Sequence, residues 1–322
     1  MNLAGSKCVV IGGAGFVGSH IVDQLIEEPV REIVVLDNFV RGTQANLAAA
    51  MRDPRVVVVE GSILDLPLLT RLLEGADCVF HLAALWLFEC VHQPRAALDV
   101  NVGGTFSVIE ACQRAAIKRI VYSSSASVYG DALFTPMTEG HPFNNRTMYG
   151  ATKIAGEQFL RAFYEQHRLD YVALRYMNIY GPRMDDKGAY VSVIMKVLDK
   201  IAQNQRPVIF GDGTQSYDFI HVTDIARANV LAMKSDRTDA AYNVGMGLKT
   251  TINELVHLLL ELMGSSLEPE HREQQMFVTH RVGSTEKAAA ELGFTATVPL
   301  RAGLQSVVDW WRSNRVGAAQ TA

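Results

Sequence analysis

Cysteine is scarce. Cys8, Cys78, Cys90 and Cys112 are the only four in 322 residues, and none has the spacing of metal ligands. They read as reduced core thiols, two of them in predicted buried strands, and the scattered histidines give no reason to expect zinc. No apolar run reaches the length of a membrane span, and no signal-peptide pattern precedes the first predicted strand, so the cytoplasm is the expected location. No Lys/Arg run stands out and the formal net charge is -4, which argues against a nucleic-acid surface. No linker rich in Pro or Ser divides the chain, and no internal repeat is visible.

What is present is ordinary soluble globular composition, 48% hydrophobic and 20% charged. The length suits one large α/β domain or two domains sharing a cleft. Apolar runs alternate with amphipathic stretches over the first half, the pattern of βαβ units and a parallel sheet. Strands are predicted at 7–11, 32–36, 56–59, 78–82, 119–123 and 171–175, with helices at 17–27, 66–73, 94–116 and 147–166. Beyond about residue 177 the alternation breaks down, with helices predicted at 190–203, 224–233, 252–263 and 300–314 and a frayed tail at 316–322. The expected fold is α/β, a doubly wound parallel sheet over 1–176 with a smaller mixed α/β substrate lobe over 177–322, partly interleaved with the first.

The stretch 9–20, VVIGGAGFVGSH, ends an apolar run at three glycines, Gly12, Gly15 and Gly18. Glycines at this spacing suit a tight turn, the approach of backbone N–H groups to a pyrophosphate, and close packing of the next helix on its strand. Phosphates would then lie at a helix N-terminus. The run 32–36 ends in Asp37, where the dinucleotide fingerprint expects an acid for the ribose hydroxyls. An acid there favours NAD over NADP, and Arg41 is the nearby charge that speaks against it.

Tyr149 and Lys153 are four apart in TMYGATKIAGEQF, so on a helix they share a face. Tyr titrates near pH 10, and acting as a base near neutrality needs a shift of about three units, roughly 4 kcal/mol. A neighbouring ammonium and a positive nicotinamide ring are the groups able to supply it. Upstream, Ser123, Ser124 and Ser125 fall where a strand ends, a position from which a hydroxyl can hold a substrate oxygen beside the Tyr.

With these residues the chain resembles the nucleotide-sugar epimerase branch of the extended short-chain dehydrogenase/reductases, of the UDP-glucose 4-epimerase type. The shared motifs are GGAGFVG, LDN at 36–38, HLAA at 81–84, NVGGT at 101–105, SSSASVYG, YGATK, LRYMNIYGPR at 174–183 and GDGTQSYDFIHVTD at 211–224. The resemblance implies Ser125, Tyr149 and Lys153 as the catalytic trio. It implies Asp37 and Asn38 on the adenosine ribose, Ile63 at the adenine, and Ala83, Asn101 and Ser123 along the cofactor path. Phe16, Val17, Arg41, Ser62, Leu82, Ala84 and Tyr176 complete the expected surroundings of NAD. Asn178 is expected on the substrate diphosphate and Phe210 near the nucleobase.

Some positions depart from the family pattern. Ser62 stands where relatives often have an Asp for the adenine amino group, and Tyr217 where many have an Arg on the diphosphate. The R-x-G-D stretch is missing, and Arg281 is the candidate replacement cation, with Arg183 and Arg272 next. Trp86 is open to two readings, core packing or a platform for the sugar. The helices 94–116 and 147–166 either cover the sheet or form, as in relatives, a four-helix homodimer interface.

The expected activity is NAD-dependent inversion of a hydroxyl-bearing carbon, C4, of a UDP-sugar through a 4-keto intermediate, in polysaccharide precursor synthesis. The alternatives are a UDP-glucuronate decarboxylase or an NDP-sugar 4,6-dehydratase of the same family, and a non-catalytic NAD(H)-sensing protein. Dehydratases of the family use an Asp-Glu pair after the serine or threonine, and decarboxylases keep a Glu there; here the positions are Ala126 and Ser127.

Overall fold

Parallel strands covered on both faces read as unbroken apolar runs, because both sets of alternating side chains are buried. Val9, Ile11, Val34 and Leu36 enter one core, while Cys8, Val10, Ile33 and Val35 enter another on the opposite face. The computed structural model describes residues 1–185, 192–273 and 280–320, with side chains as far as residue 315.

The first half runs β1 (Lys7–Ile11), α1 (Phe16–Ile26), β2 (Glu32–Asp37), β3 (Val56–Glu60), α2 (Leu66–Leu73), β4 (Cys78–His81), α3 (Leu87–His92), α4 (Pro94–Ala97), α5 (Thr105–Arg114), β5 (Arg119–Ser125), α6 (Met148–His167) and β6 (Tyr171–Tyr176). The second half runs β7 (Asn178–Tyr180), α7 (Val193–Ala202), β8 (Val208–Phe210), β9 (Ser216–Tyr217), β10 (Phe219–His221), α8 (Val222–Lys234), β11 (Ala240–Val244), β12 (Thr250–Thr251), α9 (Ile252–Met263), β13 (Glu270–Arg272), β14 (His280–Arg281), α10 (Glu286–Leu292) and α11 (Leu300–Gln320). Seven strands form one sheet in the order β11-β6-β5-β4-β1-β2-β3, and every pairing in it is parallel. All its strand ends that follow the predicted runs therefore open on one edge.

The predicted helix 94–116 is instead α4, a π-helical stretch Leu98–Gly104 and α5. Inside the wider turn Asn101 bonds both backbone groups of Leu85, accepting from its N–H at 2.7 Å and donating to its carbonyl at 2.8 Å. The helix predicted at 190–203 is described from Val193, its first residues Tyr190 and Val191 lying outside the described residues. The last helix continues to Gln320 where a frayed tail was expected, and 321–322 lie outside the described residues.

After residue 176 the chain returns to the large sheet: α8 packs on α1, and β11 pairs with β6 from Ala240↔Val172 to Val244↔Tyr176. A third core gathers Leu198 of α7, Leu255 and Leu259 of α9 and Val307 and Val308 of α11 around Tyr180. The short strands β7 to β10 and β12 to β14 lie in small sheets of two or three strands. The four cysteines are free and buried. Among the described residues no helix is long and apolar enough to cross a membrane.

One buried ion pair ties α6 to the sheet. Arg175 of β6 grips Glu157 of α6 with Nη2 to Oε2 at 2.6 Å and Nε to Oε1 at 2.9 Å, both side chains being under a tenth exposed. Ser124 of β5 donates to Glu157 Oε1 at 2.5 Å, and Arg175 Nη1 donates to the Tyr129 hydroxyl at 2.9 Å and the Glu139 carbonyl at 3.0 Å. Breaking a buried pair strands the other charge, so Glu157→Leu should cost about 3–5 kcal/mol in urea unfolding. Replacing both partners by apolar residues, Glu157→Leu with Arg175→Met, should recover most of that loss. A double variant as unstable as the single one would contradict this account.

Candidate active site

The turn after β1 is shaped by what it excludes. Gly12 has φ +82°, and a Cβ there would sit 2.7 Å from the Ala83 nitrogen; a Cβ on Gly18 would sit 2.2 Å from the Gly12 carbonyl oxygen. Gly15 caps α1 without a side-chain bond to the first-turn amides, which leaves those N–H groups for an anion. Asp37 accepts from Ala14 N and Phe39 N, each at 2.9 Å, and burial raises its pKa against the lowering effect of those donors. A carboxylate offers about four acceptor positions, so capacity remains for ribose hydroxyls. A cradle closed to side chains, open amides and a carboxylate beyond them fit a dinucleotide.

Other expected cofactor neighbours have partners within the protein. Asn38 accepts from Val40 N at 3.3 Å, and Ser62 Oγ from Leu64 N at 3.2 Å. Ile63 is buried, and Leu82 N and Ala83 N both donate to the Ile11 carbonyl, with Ala84 half-buried after them. Val17 packs on the first core, and Phe16 on the third, edge-on to His20. The Asn101 amide, expected along the cofactor path, is used on Leu85 and, at 3.2 Å, on Thr152. Ser123 Oγ and the Tyr176 hydroxyl are 2.8 Å apart, and Tyr176 donates to Asn229.

Thr147 caps α6 by accepting from Gly150 N at 3.1 Å, so Tyr149 lies in the first turn and Lys153 one turn later. The Lys153 ammonium is buried, donates to the Ser123 carbonyl at 2.7 Å and lies 5.7 Å from the Tyr149 ring centre. Burial pulls its pKa down to about 8, with Cys90 and Glu157 acting the other way. Ser125 favours the Tyr149 phenolate, and its own hydroxyl is 3.1 Å from Ser127 Oγ and Ser127 N. Sequence reasoning expects the Lys to lower the Tyr149 pKa. In the protein alone the pKa is raised instead, because burial disfavours the phenolate more than Ser125 and Arg41 favour it.

Across the crevice Asn178 Nδ2 and Arg281 Nε are buried with no hydrogen-bond partner among the described residues. Arg281 and Tyr217 are directly opposed in the parallel β9–β14 pair. The cation thus lies beside Tyr217, the other residue expected near the diphosphate on this strand pair. Burial lowers the Arg281 pKa, with Tyr217 and Asp131 opposing the shift. The other two arginines are engaged elsewhere, Arg183 with Asp23 at 2.7 Å and Arg272 with Glu270 at 2.8 Å. Phe210 ends β8 as an exposed residue, at 46%, and its carbonyl accepts from Gln215. Trp86 heads α3, edge-on to Phe88 at 5.4 Å, with the Arg41 guanidinium carbon 4.8 Å from its ring centre. Sequence reasoning missed the buried Glu157–Arg175 pair; its one signal was an acidic residue four places after Lys153 on the same helix face.

Residues 8–245 match the model of the NAD dependent epimerase/dehydratase family. A UDP-glucose 4-epimerase of Mycolicibacterium smegmatis is 32% identical over 311 residues, covering 95% of this chain and 99% of its own. The solved UDP-N-acetylglucosamine 4-epimerase of Methanobrevibacter ruminantium, in complex with UDP-N-acetylmuramic acid, superposes with a TM-score of 0.92 at 33% identity, covering 97% of this chain and 99% of that one. A dTDP-glucose 4,6-dehydratase of Streptomyces venezuelae, solved with NAD bound, superposes with a TM-score of 0.89 at 30% identity, covering 96% and 98%. Similar proteins are therefore found on both sides of the epimerase/dehydratase divide. By its matched residues and by its likeness to these relatives over nearly its whole length, the chain belongs to the NAD-dependent epimerase/dehydratase family.

Proposed function

We propose that the protein is an NAD-dependent 4-epimerase of a nucleotide-diphosphate sugar, a UDP-sugar, acting through a 4-keto intermediate. The observation that carries this reading is the gathering of Ser125, Tyr149 and Lys153 at one strand end, followed by a turn, Ala126–Val128, that offers no acid. Elimination of water needs a group that gives a proton to the leaving hydroxyl, and neither Ala126 nor Ser127 exchanges one near pH 7. The 4-keto sugar then has reduction as its productive exit.

In this mechanism Tyr149 takes the proton of the C4 hydroxyl and returns it at the end, while Ser125 holds that oxygen. Lys153 stays anchored on the Ser123 carbonyl and adds positive charge beside the phenol. NAD, when bound, supplies the hydride acceptor and, in its oxidised form, a further positive charge. Gly12 to Gly18 and Asp37 would hold it. Asn178 and Arg281 have unused buried donors suited to a diphosphate, and Phe210 an exposed ring suited to a base. The lobe beyond residue 176 is the substrate side of the cleft in this reading. The assembly is a homodimer through α5 and α6, where Phe106 is 41% exposed and edge-on to Phe159 and Phe163.

The full chain with NAD should interconvert the C4 epimers of a UDP-hexose or of its N-acetylated or carboxylated counterpart, read by proton NMR. Tyr149→Phe should lower kcat at least about a hundredfold with an unchanged melting curve. Normal turnover by that variant would remove Tyr149 from the base role. A 6-deoxy-4-keto product or released carbon dioxide would assign the chain to the dehydratases or decarboxylases. If Arg281 binds the diphosphate, Arg281→Lys should raise KM about tenfold or more with a smaller effect on kcat, because a remote contact is lost equally in ground and transition states. An unchanged KM would move the diphosphate site elsewhere.

A further inference from the structure

Arg41 is rooted on one side of the dinucleotide crevice and ends on the other. Its neighbours lie on the glycine-rich turn: Thr43 N donates to the Ala14 carbonyl at 3.1 Å, and a Cβ on Gly42 would sit 2.9 Å from the Ala14 carbonyl carbon. Yet the guanidinium carbon is 4.8 Å from the ring centre of Trp86, and Nη1 is 3.5 Å from Glu89. Arg41 follows β2 and Trp86 follows β4, which flank β1 on opposite sides in a parallel sheet. The side chain therefore crosses the end of β1, where the cradle for a pyrophosphate begins. Its Nη2 reaches Asp185 at 2.6 Å, in the segment after β7 that runs along α1 through Pro182 on His20 and Arg183 on Asp23.

The crossing has a chemical use. The stretch 12–20 contains no Lys or Arg, so the turn itself offers a diphosphate only backbone amides and the helix dipole. A guanidinium spanning the turn adds a planar set of charged donors that matches phosphate oxygens, while the indole keeps its plane fixed. Of its two carboxylate partners, the nearer is Asp185. Arg41 and Asp185 are 32% and 39% exposed, and pairs of that kind contribute about 0–1 kcal/mol. A doubly charged diphosphate competes with the Asp185 carboxylate for this guanidinium.

We propose that Arg41 is a strap across the dinucleotide crevice, binding the pyrophosphate of the cofactor and governing the rate at which the cofactor leaves. The inference rests on the reading that this crevice holds NAD, and it deepens it. A reaction that oxidises and re-reduces one carbon without net redox change needs the same cofactor molecule to stay through both steps, and a strap that slows release serves that need.

The test is NADH release from the purified full chain, followed by fluorescence on mixing with excess NAD, for wild type and Arg41→Met. Met keeps an apolar side chain against Trp86 and removes the charge. Release should be at least about tenfold faster in the variant. Affinity for ADP-ribose should fall by a similar factor, and affinity for adenosine, which lacks phosphate, should not change. Release at the wild-type rate would overturn the proposal, as would equal losses for ADP-ribose and adenosine, which would show a damaged adenosine side. Failure of the wild type itself to bind NADH would overturn the cofactor reading.

Discussion

The ion pair between Glu157 and Arg175 is the constraint on which the candidate site depends, because it anchors the helix that carries Tyr149 and Lys153. Tyr149, Lys153 and Glu157 are spaced by four along α6 and form one stripe facing the sheet. A helix is stiff over two turns, so fixing Glu157 against β6 fixes the height and rotation of the residues before it. Ser124 bonds the same carboxylate, and Ser125 is the next residue. The strand end that presents the serine and the helix that presents the phenol are thus set against one another by a shared anchor. Burying two charges is expensive, and each is offset here by several hydrogen bonds as well as by the other charge.

The same burial tunes the reactive groups in opposite directions. It raises the Tyr149 pKa and lowers that of Lys153 to about 8, since both shifts disfavour the charged form. Without its cofactor the protein therefore holds a phenol that stays protonated near neutrality. In the proposed reaction, ionisation draws on positive charge brought in with the oxidised dinucleotide.

Much of the first half was legible because its signals are local. Unbroken apolar runs gave the strands, the glycine turn gave the ligand edge, and the four-residue spacing of Tyr149 and Lys153 gave a shared helix face. What escaped depends on contacts remote in sequence. The return of β11 to the sheet is set by pairing with β6 across some 68 residues, from Val172 to Ala240, and strands of two or three residues have no period to read. The juxtaposition of Arg281 with Tyr217 is a matter of strand register, and the path of Arg41 to Trp86 of which loops flank β1. The bond of the Asn101 amide to Leu85 depends on the π-helical turn around it, which no spacing announces. The raised Tyr149 pKa of the ligand-free protein was hidden for a related reason, since spacing reveals a nearby ammonium but not how little solvent reaches the phenol.

The central claim is that an oxidised sugar carbon is reduced again in the same pocket. A UDP-hexose substrate deuterated at C4 tests it most directly, with product analysed by NMR and mass spectrometry after incubation with catalytic NAD. Retention of the deuterium at C4 of the inverted product, with no stoichiometric accumulation of NADH, is the predicted result. Washout of the label to solvent, or its appearance at another carbon of a dehydrated product, would contradict the account.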